Sequence, residues 1–398
     1  MARAKIVIAK FETAVVPPRW GLLRIHTDAG IFGFGEFTVE GQHDSARALV
    51  HELEPWFIGR DAADIRGLVR GCYDQSFYHG GPHFMSALAA IEIALWDLRG
   101  KSLDLPLHRL LGGAVRDRVK VYRWAGGNNN APGAAADEAA KVVAEGAKAI
   151  KMNACPPLAA VDTYGGIDAA VRRAAAVRDA VGPEVDIAFD FHGRANVPMA
   201  RRLAKELEFC RPLFYEEPVR PDYNRWLPEI AGITHIPIAT GERMYVPAEF
   251  SDVIAAKGVH ILQPDLVHVG GILNALDIAA MAEANGIALA PHCPLSPVAF
   301  MACLHVVVTS RAGWILEWSK GLHYNASGAT GSVDPWLRYI AESQWPQFDV
   351  DTDGHLALPT GPGLGVAIDW NEVLRAAATG VTWRDERMVL GDGTRTNW

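Results

Sequence analysis

VDIAFDFHGR (185–194), PLFYEEPV (212–219) and IPIATGER (236–243) carry one pattern three times, a short apolar run ending on an acid: Asp190, Glu216 and Glu242. Successive acids lie 26 residues apart in both intervals. Each run reads as a buried strand and each acid is followed by helical patterning, so the three stand where consecutive strands of a repeating β/α array end. In a β/α barrel that end is the active face. One strand-end acid alone is more often a helix cap or a structural ion pair; three in phase point to a divalent-metal site.

The alternation extends to both sides of these runs, through VKVYRWAG (119–126) and AIKMNA (149–154) before them and HILQPDL (260–266), IALAPHC (287–293) and WILEW (314–318) after them. Eight strand-like runs separated by helical stretches such as ADEAAKVVAEGA (136–147) predict an α/β protein with a (β/α)8-type barrel. The first hundred residues differ. Alternating runs up to about Val39, with a hairpin turn at Asp28-Ala29-Gly30, give way to helices from about Asp44 to Leu111, the order of an α+β unit. The expected organisation is a capping domain over 1–118, a barrel over 119–318, and a Gly/Pro/Trp-rich segment over 319–398 that returns to the cap, with GPGLGVAID (361–369) as a turn and strand. The alanine runs near 134–144 and 169–176 read as helix surface.

A chain of 398 residues has length for a barrel of about 200 to 250 residues and a second unit. With 49% hydrophobic and 21% charged residues, a net charge of −8 and no apolar run approaching the roughly 20 residues that span a bilayer, the composition argues against membrane partners. No Lys/Arg block suggests nucleic acid. The amino terminus, broken by Lys10 and Glu12, reads as a first strand and not as a leader peptide. Five scattered cysteines form neither a disulfide framework nor a zinc cluster, so a cytoplasmic location is expected.

Three converging carboxylates repel one another unless a cation binds, and hard oxygen ligands suit Mg²⁺ best, with Mn²⁺ second. Such an ion stabilises the enediolate formed when a proton leaves the carbon next to a substrate carboxylate. His292 ends the seventh run and Asp265 the sixth, a pairing that fixes a tautomer and raises basicity; His292 is therefore the candidate base. His192, two residues beyond Asp190, is the candidate acid. Glu317, closing the eighth run, is placed to hydrogen-bond a developing enolate oxygen. The second run ends in Lys151-Met152-Asn153. Asn153 stands where a second lysine base would be needed, which disfavours a racemase. One base and one acid describe loss of the C2 proton with departure of the C3 hydroxyl, giving a 2-keto-3-deoxy acid.

At these residues the chain resembles the enolase superfamily, its mandelate-racemase-like subgroup, and within that the galactonate dehydratase group. The resemblance runs nearly end to end, through Pro18-Arg19-Trp20, FYHGGP (77–82), ALWDLRGK (94–101), DFHGR (190–194), GERM (241–244), ILQPDL with His268 and Gly270-Gly271, APHCPL (290–295) and HYN (323–325). It implies Mg²⁺ on Asp190, Glu216 and Glu242, His292 with Asp265 as base, His192 as acid, and Asn153, Lys151 and Glu317 against substrate. It makes the cap residues Arg19, Trp20, Tyr78 and His79 candidate substrate contacts, and a homo-oligomer acting on a small sugar acid the expected state. D-Galactonate is the expected substrate. Another aldonic or aldaric acid such as gluconate or arabinonate is the alternative; a racemase, a cycloisomerase and a non-catalytic relative rank lower. His79, Trp318, Lys320 and Asn128–Asn130 depart from the group's pattern at positions where a polyol chain would be read.

Overall fold

The computed structural model describes residues 5–125, 131–322, 325, 333–385 and 387–396. The amino-terminal segment forms an antiparallel sheet in the order β1 (Ile8–Val16), β2 (Trp20–Thr27) and β3 (Phe32–Glu36). Gly30, at φ 72°, supplies the left-handed residue of the expected β2–β3 turn. The helices α1 (His43–Phe57), α2 (Ile65–Gln75), α3 (Gly81–Leu103) and α4 (Leu107–Leu110) follow. Helix α3 is buried along most of its length because one face packs on the cap sheet and another meets the barrel. Its approach to β3 needs glycine: a Cβ on Gly35 would sit 1.9 Å from the Ala90 carbonyl oxygen.

The barrel then unfolds in strict alternation: β4 (Arg118–Trp124), α5 (Pro132–Ala144), β5 (Ala149–Asn153), α6 (Tyr164–Val181), β6 (Asp186–Asp190), α7 (Val197–Glu206), β7 (Tyr215–Glu216) and α8 (Leu227–Ala231). Its second half is β8 (Ile238–Thr240), α9 (Pro247–Ala256), β9 (Ile261–Leu262), α10 (Ile272–Ala284), β10 (Ala288–Leu289), α11 (Pro297–Thr309) and β11 (Ile315–Trp318). All eight predicted runs are strands, each parallel to its neighbours in the order β10-β9-β8-β7-β6-β5-β4-β11. A parallel bridge between Leu289 and Gly313 joins the two ends. Inside, each strand or its flank contributes one residue to a single layer: Tyr122, Ala149, Ala188, Phe214, Ala239, Ile261, Ala290 and Ile315. Two aromatic rings in edge contact fill the space that four alanines leave.

The tail departs from expectation. Among the described residues no α-helix lies between β11 and the strand β12 (His355–Ala357), which pairs antiparallel with the start of β4 at Arg118–Lys120. GPGLGVAID is a turn with two isolated bridges, Gly363 to Pro106 and Ile368 to Ile340, and not a strand. Its glycines and proline cannot sustain a ladder. Helix α12 (Trp370–Ala377) reaches the cap, where the Trp370 ring stacks on Phe34 at 5.7 Å and lies under the Arg24 guanidinium. The alanine runs are not plain surface either: Ala135, Ala139, Ala170 and Ala174 are buried, because small side chains let α5 and α6 pack closely.

Two cap carboxylates fasten the cap to the barrel by capping its helices. Glu36, at the end of β3, accepts from Ser296 Oγ at 2.5 Å and from the Ser296 and Ala299 amides at the start of α11. Glu92, on α3, accepts from the Ile272 and Leu273 amides of α10 at 2.8 and 3.0 Å. Both acids meet the positive ends of helix dipoles, while burial pushes each carboxyl up to about 7.

Within the cap sheet, Glu12 pairs across the strands with Arg24 at 2.5 Å and His26 at 3.0 Å. Burial opposes its charged form, but the His26 and Arg24 hydrogen bonds outweigh it and hold the carboxyl down to about 2. The stabilisation is therefore complete above the ordinary carboxylate range near 4.5 and lost as pH falls towards 2. Glu12→Gln is expected to cost about 1 kcal/mol at pH 6 and nothing at pH 2, measured by urea unfolding across that range.

Candidate active site

The side chains of the interior layer repeat every second residue along the strands, so the next inward positions form a second layer at the carboxyl ends. From Tyr122, Ala149, Ala188, Phe214, Ile261, Ala290 and Ile315 the period leads to Trp124, Lys151 and Asn153, Asp190, Glu216, Gln263 and Asp265, His292, and Glu317. Sheet register agrees: Asn153 pairs with Asp190, and Asp190 with Glu216. On β8 the same step reaches Gly241, and the acid comes one residue later, at Glu242. Asp190, Glu216, Glu242, Asp265 and Glu317 are all buried.

The strand ends turn through unusual backbone. His192 and Gly193 have φ of 51° and 60°, and Glu217 has φ of 38°. Left-handed residues at a functional loop re-aim side chains that would otherwise continue the strand. His192 is folded back on Asp190, its amide 2.6 Å from Oδ1 and its Nδ1 3.1 Å from Oδ2. Behind this rim, Arg243 makes a two-pronged contact with the buried Glu217.

The predicted metal triad is assembled in part. Asp190 and Glu242, with His192, present ligand atoms within 4.8 Å of one another. Glu216 stands beside Asp190, but its oxygens receive Lys151 Nζ at 2.8 and 3.0 Å and Gln263 Nε2 at 2.9 Å. Lys151 also lies 3.0 Å from Glu317 and over the Trp124 ring at 4.8 Å. It is a fully buried ammonium between two buried carboxylates, and so a strut of the site as much as a candidate substrate contact. Burial works against its charge, yet Glu216 and Glu317 raise its pKa well above the usual lysine value.

The acids divide by surroundings. Burial raises Glu317, but Lys151 and His292 outweigh it and the carboxyl falls below its usual value. Asp190 is likewise lowered, with His192 overcoming burial. Glu216 rises to about 7 and Glu242 well above its usual value, burial being the largest cause in both. Glu242 Oε2 is buried and accepts no hydrogen bond among the described residues, although His292 Nε2 approaches it to 3.2 Å without hydrogen-bond geometry. Carboxyl groups whose charged form burial disfavours, one with an open oxygen, are what a hard divalent cation would satisfy, so the donor set fits Mg²⁺.

His292 Nδ1 is 2.8 Å from Asp265 Oδ2, the pairing expected from the sixth and seventh strands. Burial disfavours the imidazolium, but Glu242, Glu317 and Asp265 together raise its pKa well above the ordinary histidine value. Glu317 is held at both oxygens, by Trp124 Nε1 at 2.6 Å and the Cys293 amide at 2.9 Å. Asn153 is buried at the β5 end, where its carbonyl accepts from Arg173.

The cap candidates fare differently. Trp20 does not face the site: it is fully buried in the core, edge-on to Tyr339 at 6.0 Å, because the strand pleat turns it towards the tail. Arg19 is buried at the interface and donates to Glu40, Pro294 and Asn325. Tyr78 is 88% exposed on the α2–α3 loop, and the exposed His79 lies tilted against Tyr73 with ring centroids 4.2 Å apart. Trp318 alternates outward from Glu317 and packs on Phe300 and Trp336, with Lys320 over its ring, so neither departure lies inside the barrel. Asn128–Asn130, His323 and Tyr324 lie outside the described residues. Two residues that strand-end reasoning passed over belong to the site's framework: Gln263, two residues before Asp265 and on the same face, and Trp124, on the inward phase of β4. The period of two would have found both.

An α/β barrel whose strand ends gather acids, two carboxylate-bound imidazoles and a buried lysine defines an enzyme-type site suited to proton transfer. The comparisons agree with that class. Residues 134–373 match the enolase C-terminal domain-like family and residues 6–112 the mandelate racemase / muconate lactonizing enzyme N-terminal domain. The chain belongs to the enolase superfamily. It is 46% identical to the D-galactonate dehydratase of Verminephrobacter eiseniae and 42% to that of Pectobacterium atrosepticum, in each case over 98% of this chain and all of the relative. Among solved structures, an enolase from Agrobacterium radiobacter with bound sodium and L-malate superposes with a TM-score of 0.86 at 30% identity, covering 98% of this chain and all of that one. A mandelate racemase/muconate lactonizing enzyme from Sulfitobacter gives a TM-score of 0.84 at 30% identity over 96% of this chain and 97% of that one.

Lys151→Met leaves Glu216 and Glu317 buried without their shared cation. The expected loss is about 3–5 kcal/mol of stability at pH 7, read by urea unfolding.

Proposed function

We propose that this chain is a Mg²⁺-dependent hydro-lyase that dehydrates a sugar acid, D-galactonate, to the 2-keto-3-deoxy acid. The observation that carries the reading is the pair of imidazoles held by different carboxylates, His292 on Asp265 and His192 on Asp190, beside the open oxygen of Glu242. The full-length similarity to two D-galactonate dehydratases supports the substrate. Asp190, Glu216 and Glu242 would hold Mg²⁺, with Mn²⁺ as second choice, and the ion supplies electrophilic stabilisation to the substrate carboxylate.

In this mechanism His292 Nε2 takes the C2 proton, and Asp265 keeps the ring in the correct tautomer and stabilises the imidazolium. The C2–C3 double bond forms as the C3–O bond breaks, and His192 protonates the departing hydroxyl, which leaves as water. The enol then tautomerises, with a proton added at C3, to the 2-keto-3-deoxy acid. Lys151 holds the carboxylates of Glu216 and Glu317 in place, and Asn153 and Glu317 meet the substrate near C2 and C3. The three-part organisation, a cap over 1–118, a barrel over 119–318 and a returning segment over 319–398, goes with this reading, as does a homo-oligomer working in the cytoplasm. Among the described residues no helix is long and apolar enough to cross a membrane.

A panel of aldonic and aldaric acids assayed for 2-keto-3-deoxy product, with Mg²⁺ and with chelator, tests the reading. D-Galactonate is expected to turn over and chelation to abolish product; turnover of gluconate or arabinonate in its place would reassign the substrate. His292→Asn and His192→Asn are each expected to lower kcat by about 10²–10⁴-fold. Mg²⁺ at about 100 times its Kd should add about 2.7 kcal/mol to unfolding stability, an effect that Glu242→Gln weakens.

A further inference from the structure

The base pair His292–Asp265 does not end at Asp265. His268 Nδ1 approaches the same oxygen, Asp265 Oδ2, at 3.5 Å, while its Nε2 lies 3.1 Å from the Thr38 carbonyl and 3.9 Å from Glu40 Oε2. Every one of these neighbours is an acceptor, so both nitrogens of His268 face negative charge. Glu40 meets Arg19 at 2.5 Å, and Arg19 Nη2 donates at 3.0 Å to the carbonyl of Pro294, two residues beyond His292. The contacts close on themselves: His292, Asp265, His268, Glu40, Arg19 and back to the loop that carries His292. Basic and acidic side chains alternate from His292 through to Arg19, which closes on a backbone carbonyl. Three members stand on the barrel and two on the cap. Glu36, bound to Ser296, fastens the same loop two residues further on, and Thr38 ties to Glu36 at 2.7 Å and to the Gly21 amide at 3.0 Å.

We infer that His268 and Glu40 are positioning residues for the His292 base, and that through Arg19 they make its geometry depend on docking of the cap segment 19–40. This rests on the reading of His292 as the base. Asp265 Oδ1 is fixed by its own turn, accepting from the Val267 and His268 amides at 2.8 and 3.3 Å, whereas Oδ2 is shared between the two imidazoles. Without His268 that oxygen keeps His292 as its one partner and loses the contact that bears on it from the cap side. Without Glu40 both His268 and Arg19 lose their common anion, and the Pro294 carbonyl loses a fixed donor. Each change moves the imidazole and leaves the metal-binding acids and the rest of the substrate site in place. Arg19 thus serves the reaction from behind the base and not as a contact to the sugar acid.

The test uses full-length His268→Gln, Glu40→Gln, the double variant and Arg19→Lys, with D-galactonate and Mg²⁺. Expected for His268→Gln and Glu40→Gln are a fall in kcat of about 10- to 100-fold, KM within about threefold of wild type, and a larger isotope effect with C2-deuterated substrate. The double variant should be no worse than the poorer single one, because the two residues act as one unit. A readout without substrate separates this inference from the assignment of the reaction. The downfield proton resonance of His292 Nδ1–H, identified by its absence in His292→Asn, should weaken or exchange faster in His268→Gln and Glu40→Gln, and less in Arg19→Lys. If wild type leaves every sugar acid untouched, the proposed reaction fails while this resonance still decides the ring. An unchanged resonance with wild-type kcat in folded His268→Gln or Glu40→Gln overturns the inference, as do additive losses in the double variant. Should His268→Gln not fold, Glu40→Gln and Arg19→Lys probe the same ring from the cap side.

Discussion

Five carboxylates are buried at one mouth of one barrel, and the architecture around them is a set of answers to that electrostatic problem. Water cannot screen them, so each must find a donor or a cation or else keep its proton. Asp190 and Glu317 find partners within the chain, in His192 and in Lys151 with Trp124 and the Cys293 amide. Asp265 is satisfied by its own loop and by histidines. Glu216 and Glu242 are driven by burial towards the protonated state, Glu216 despite its lysine. The unresolved part of the balance is thus concentrated on two neighbouring strands, which is where an added cation has most to gain.

Much of this was legible because the barrel imposes a period of two on strands of known phase. Once the apolar runs are recognised, the inward positions follow by counting, and Asp190, Glu216, Asp265, Glu317, Lys151, Asn153 and His292 lie on the counted positions, while Glu242 comes one residue past its own. His192 is legible only in part. Its strand phase predicts the side but not the left-handed turn that folds the ring back on Asp190. Gln263 and Trp124 were accessible to the same counting, but an amide and an indole do not draw attention as an acid does.

The cap resisted such reading for a physical reason. A hairpin that lies across a barrel mouth has neither face fixed by a repeat, so motif position alone cannot distinguish Trp20, which enters the core, from Arg19 beside it, which enters the interface. Buried acids that cap helices in the other unit, Glu36 and Glu92, are invisible locally because their partners lie 260 and 180 residues away. Helix α12 packs on the cap sheet. The strand that the tail pairs with β4 is three residues long, too short for a pattern to register.

That short strand has a consequence for how such enzymes diverge. β12 pairs with the start of β4 while α12, a few turns later, grips the cap sheet through Trp370. The cap sheet is therefore covered by a segment distant in sequence, α12 packing on β1 and on Phe34 of β3. Recombination between relatives at a single crossover near residue 118 would join a foreign hairpin to a native tail and mismatch the surface on which Arg24, Phe34 and Trp370 stack. An exchange of the cap between relatives therefore has to carry both the segment before β4 and the segment that holds α12.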